Sequence, residues 1–119
     1  MTRRLTDHPV LTFDCYGTLI DWEAGIWEAF QPLLADNPPT DLTRDTLIAA
    51  FNNLEAEQQA AAPTMNYPTV LECVHRALAE NLALVTSPGL DYAFGASVPS
   101  WPAFPDSPDA LRFLSGHFR

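Results

Sequence analysis

Asp14 closes a short apolar run, Val10-Leu11-Thr12-Phe13, and is followed at once by Cys15-Tyr16-Gly17-Thr18. The run reads as a buried strand, and Gly17 supplies the backbone freedom for a tight turn behind it. A carboxylate at the C-terminal end of a buried strand lies where α/β folds gather their ligands. The N–H groups of such a turn hold anions. Asp14 in that place can act as a nucleophile, forming a covalent ester that water later cleaves. Thr18 can donate its hydroxyl to the same carboxylate or to a bound anion. An aspartate at a strand end also serves as a turn or helix-cap residue, and these residues by themselves leave both roles open.

The elements that would position this carboxylate follow from periodicity. From Asp21 the apolar spacing becomes helical, with Trp22, Ile26, Phe30 and Leu33 on one face and Asp21 as a cap. Pro32 is expected to end or kink this helix, and Asn37-Pro38-Pro39 reads as a loop. A second helix starts near Thr43, carries Leu47, Ile48, Phe51 and Leu54 on its apolar face, and stops at Ala60-Ala61-Ala62-Pro63. A third begins at Tyr67-Pro68, with proline at a first helical position, and its stripe is Leu71, Val74, Leu78 and Leu82. Ser87-Pro88-Gly89 closes it, and residues 90–96 have room for one more short helix. Pro99, Pro102 and Pro105, with Trp101 and Phe104 between them, describe an extended linker. Ser107-Pro108-Asp109 opens a last helix with Leu111 and Leu114 on its buried face, and residues 117–119 read as the approach to another strand.

Composition narrows the class of partner. Fifteen acidic against six basic residues give a net charge of -9, which disfavours nucleic acid and anionic membranes. No apolar run is long enough to span a bilayer, and no signal peptide is recognisable at the start. Two cysteines, Cys15 and Cys73, lack metal-site spacing and read as reduced thiols, so the expected location is the cytoplasm. His8, His75 and His117 show no ligand spacing and read as ordinary surface or boundary residues. No metal site and no cofactor are expected. Trp22, Trp27 and Trp101 read as packing anchors.

The nine residues Phe13-Asp14-Cys15-Tyr16-Gly17-Thr18-Leu19-Ile20-Asp21 resemble the first motif of the haloacid dehalogenase superfamily, and within it the type II, or L-2-haloacid, dehalogenases. Trp101-Pro102-Ala103-Phe104-Pro105-Asp106, with the helix after it, resembles the family's return from cap to core. The resemblance extends in layout from Val10 to Arg119. It implies an α/β fold in which an incomplete Rossmann-like core, a first strand and one core helix, carries an inserted helical cap, so that the chain is mostly helical. The corresponding division is 1–20 for the first core strand and nucleophile turn, 21–97 for the cap, and 98–119 for the linker and return helix. The remainder of the core is expected after Arg119.

The same resemblance implies roles for residues. Asp14 would attack the halogen-bearing carbon of a small organic acid, displacing halide and forming an ester. Thr18 would hold Asp14, while Cys15 and Tyr16 would line the substrate pocket. Phosphatase members of the superfamily carry a second aspartate two residues after the nucleophile as general acid, and here that position is Tyr16. Loss of a general acid costs ~10²- to 10⁴-fold in rate. Halide departs without a proton, so Tyr16 favours dehalogenase over phosphatase chemistry. The family's cap arginine has no match: Phe51-Asn52-Asn53 lies near that place, and Arg44 and Arg76 read as solvated helix-surface residues.

The family also uses a Ser/Thr-Asn pair, a lysine and a later acidic or polar group, and none matches a residue present. The chain is therefore expected to be an inactive N-terminal fragment, with uncovered apolar faces and poor solubility or dependence on another segment or subunit. A homodimer stays open for the complete protein. A phosphatase-like member of the superfamily and a non-catalytic truncated interaction protein are the alternative readings.

Overall fold

Among the described residues every named element is a helix. The computed structural model describes residues 2–119. Its α-helices are α1 (Trp22–Ala35), α2 (Arg44–Ala61), α3 (Tyr67–Asn81), α4 (Pro88–Gly95) and α5 (Ser107–Ser115), with short 3-10 helices at Leu5–Asp7 and Val98–Ser100.

The expected α/β class does not form. Among the described residues there is no sheet: β-type pairing is confined to isolated bridges, Tyr16 with Ile20 and Ile20 with Ala103. At 59% helix and 3% strand, the fold is all-helical, and the Rossmann-like core expected around residues 10–13 is corrected accordingly. The physical reason is lateral. A strand is defined by hydrogen bonds to a neighbour, and among the described residues the backbone of 10–14 makes none. Nor is the run buried, since Val10 is 58% and Phe13 44% exposed.

The helices and turns gather into two compact units, one of Glu23–Trp101 and the other of the residues up to Trp22 together with Pro102–Arg119. In the larger unit, local signals set the helix starts. Thr43, Asn66 and Ser87 each stand in extended geometry before α2, α3 and α4, and each accepts an N–H from the first turn with its side chain. Ser87-Pro88-Gly89 thus opens α4 where a stop to the preceding helix was expected. Pro32 lies inside α1, which continues to Ala35 despite the missing donor.

The core of this unit comes from the apolar stripes. Ile26, Phe30 and Leu33 of α1, Leu47 and Phe51 of α2, Leu71, Val74 and Leu78 of α3, and Phe94 of α4 are all buried. Two glycines permit close approach. A Cβ on Gly25 would lie 2.4 Å from the Trp101 ring, and one on Gly95 would lie 2.4 Å from the Pro68 carbonyl oxygen. Asn37 fastens the loop ahead of α4: its amide donates to the carbonyls of Leu33 and Val85, and its oxygen accepts from Val85 N–H.

The smaller unit is held mainly by backbone pairing between the 15–21 turn and the 102–107 segment. Asp21 N–H donates to Pro102 C=O at 2.8 Å and Phe104 N–H to Leu19 C=O at 3.0 Å. Arg119 N–H donates to Pro9 C=O at 2.9 Å, which ties the end of the chain to the apolar run. The face of α5 expected to be buried is not: Leu111 is exposed and Leu114 only half-buried, and Phe113 beside them is exposed as well.

Candidate functional site

All four residues singled out from the sequence sit on one turn of the smaller unit. The Cys15 carbonyl accepts N–H bonds from Thr18, Leu19 and Ile20 at 3.1, 2.8 and 3.1 Å, and Gly17 N–H donates to Ile20 C=O at 2.9 Å. Closing so many bonds on one carbonyl forces a sharp reversal. Gly17 absorbs it with φ of 84°, in the left-handed region that costs an L side chain roughly 1 kcal/mol or more.

The reversal brings Thr18 back over Asp14. Thr18 Oγ1 donates to Asp14 Oδ2 at 2.8 Å. This fixes one carboxylate oxygen and leaves Oδ1 outside that bond, on a side chain open to solvent. Cys15 and Tyr16 are also exposed, and Cys15 is a free thiol. Leu11 and Phe13 line a shallow apolar groove of about 220 Å³ with Leu111, Leu114, Ser115, Phe118 and Arg119. Asp14 is not among the residues lining this groove. The site therefore consists of an exposed carboxylate held by a hydroxyl, on a turn with a fixed shape.

Asn52, Asn53, Arg44, Arg76 and His75, also considered from the sequence, lie in the larger unit. Asn52, Asn53 and Arg44 are exposed on α2. Arg76 is not a purely solvated residue: its Nε reaches Asp91 Oδ2 at 3.3 Å. His75, expected at the surface or a boundary, is 1% exposed. Its Nδ1 lies 2.7 Å from Asp91 Oδ1, and its ring lies against Phe94 at 4.7 Å and edge-on to Phe30 at 5.6 Å. Thr86 Oγ1 donates to Asp91 Oδ1 as well, at 2.8 Å.

Burial pushes the His75 imidazole below its ordinary value, against the pull of the Asp91 hydrogen bond and charge. Burial pushes the Asp91 carboxyl up, but the hydrogen bonds from His75 and Thr86 and the Arg76 guanidinium outweigh it and hold it below the usual carboxylate range. The pair is a neutral imidazole donating to an ionised carboxylate. Packed into the core, it holds α3 to α4 and offers nothing to a ligand. Sequence spacing carries little sign of it, because 16 residues separate His75 from Asp91.

Among the described residues no group of three or more His, Cys, Asp or Glu is placed to hold a metal ion. No helix among them is long and apolar enough to cross a membrane. No protein-family model matches the sequence, and neither does any curated protein.

Proposed function

We propose that Asp14 is the nucleophile of a hydrolase acting on small 2-haloacids, resembling the L-2-haloacid dehalogenases. The reading is carried by one observation, the 2.8 Å bond from Thr18 Oγ1 to Asp14 Oδ2 on an exposed, glycine-pivoted turn. That bond orients the carboxylate without burying it, as attack on an incoming carbon requires. An Asp14 carboxylate oxygen attacks the halogen-bearing carbon, the carbon–halogen bond breaks, and halide leaves with the bonding pair. Water then adds to the Asp14 side-chain carbonyl, releasing the 2-hydroxyacid and restoring the carboxylate.

Tyr16 stands where a phosphatase of this type needs a carboxylic acid, and a halide leaving group needs no proton. This supports carbon–halogen over phosphate-ester cleavage. Water activation and halide stabilisation need groups beyond the four residues of the turn.

The test is covalent labelling. Incubation of a chain that carries the complete core with 2-chloropropionate should place one ester on the peptide containing Asp14, located by mass spectrometry, and Asp14→Asn should remain unlabelled. An unlabelled Asp14 at saturating haloacid would sink the reading. Phosphate release from a sugar phosphate with Mg²⁺ in place of labelling would point to a phosphatase.

A further inference from the structure

We infer that Ser107 is a positioning residue for the Asp14 turn, acting through the carbonyl of Leu19. Ser107 is the first residue of α5 and is buried, at 5% exposure. Its hydroxyl does not cap its own helix. It donates instead to Leu19 C=O at 2.8 Å, 88 residues away in the chain. The same carbonyl accepts Phe104 N–H at 3.0 Å, so both lone pairs of Leu19 are engaged by the 102–107 segment.

Two donors on one carbonyl fix the plane of the peptide between Leu19 and Ile20. The N–H groups of Leu19 and Ile20 close on Cys15 C=O, and Thr18 beside them donates its hydroxyl to Asp14. The path from Ser107 to the carboxylate is thus short and continuous: Ser107 Oγ, Leu19 C=O, the Cys15-centred turn, Thr18 Oγ1, Asp14 Oδ2. Phe104 contributes through its backbone alone, whereas Ser107 contributes through its side chain. Among these two donors, the serine is the one that substitution can remove.

The catalytic consequence rests on the reading of Asp14 as nucleophile, while the geometric claim does not. The experiment therefore has two readouts. In Ser107→Ala, hydrogen exchange at the amides of Thr18, Leu19 and Ile20 should accelerate about tenfold, the effect of one lost part-buried hydrogen bond. Amides in the middle of α3 should not change. Ser107→Thr, which keeps the hydroxyl, should restore slow exchange and Ser107→Val should not. This pair, alike in size, decides the matter should the alanine variant fail to fold.

Equal exchange in the threonine and valine variants, equal acceleration in α3, or unprotected turn amides in the unsubstituted chain would overturn the inference. In the second readout, the rate of ester formation at Asp14 should fall about tenfold with alanine and recover with threonine. A chain with the complete core that forms no ester refutes the nucleophile, and the exchange comparison on the present chain still decides the role of Ser107.

Discussion

The imidazole of His75 and the carboxylate of Asp91 meet at 2.7 Å with both side chains almost wholly out of water. The contact joins α3 to α4, and Thr86 and Arg76 supply the remaining donors to the carboxylate. Removing the acceptor leaves a buried imidazole and a half-buried hydroxyl unpaired. Asp91→Ala should therefore cost about 3 kcal/mol, measured by urea denaturation. Arg76→Ala should cost under about 1 kcal/mol, because 59% of that side chain is in solvent.

The same pair makes stability depend on pH. Because burial lowers the His75 pKa, the folded chain binds fewer protons than the unfolded chain below the ordinary value of 6.5. Its contribution is fully present above that value and is lost as pH falls through the window beneath it. Asp91, also lowered, has the same sign, with its window beginning below 3.8. Urea midpoints should fall between about pH 7.5 and about pH 5.5. His75→Gln, which keeps a donor without titrating there, should flatten that fall, and an unchanged slope would show that His75 is not responsible.

Thr18→Val keeps shape and removes the hydroxyl that holds Asp14. Ester formation should slow on the order of tenfold while the denaturation midpoint barely moves, since the lost bond is exposed. A variant as fast as the parent would mean that the hydroxyl does not orient the nucleophile.

Glycine-to-alanine changes in helices usually stabilise by up to about 1 kcal/mol. At Gly25 and Gly95 the sign should reverse. The added methyl meets the Trp101 ring in one case and the Pro68 backbone carbonyl in the other, each at 2.4 Å. Overpacking of this kind costs about 1–3 kcal/mol. Gly95→Ala should be the worse, since a backbone carbonyl yields less easily than a ring. Thermal melts of the two variants give the comparison directly.

Leu111 and Phe113 on α5, with Val10 and Phe13 on the apolar run, are exposed in one unit. Surface of this kind drives association. Light scattering should show self-association that rises with concentration, and Phe113→Ser should reduce it. Concentration-independent monomers would show that these side chains are tolerated singly.

Local signals determined most of the helices. Threonine, asparagine and serine caps and first-turn prolines act through the nearest amides, so Thr43, Tyr67-Pro68 and Ser107 could be read without knowing any distant partner. The apolar stripes were equally legible, because a 3.6-residue period names the buried face in advance: Ile26, Phe30, Leu47, Leu71 and Leu78 are all in the core. The turn was legible too, since Gly17 is needed wherever the backbone enters the left-handed region.

Tertiary structure alone decided the rest, and each case involves a partner remote in the chain. Residues 10–13 carry a strand's composition but acquire no neighbour to pair with among the described residues, so composition did not make a strand. His75 has the spacing of a boundary residue, and only the arrival of α4 sets Asp91 beside it. Ser107 has the signature of a helix start, and only the fold carries its hydroxyl to Leu19. Short-range preferences act within a few residues of the side chain that expresses them, whereas a lateral hydrogen bond exists only when two distant segments arrive together.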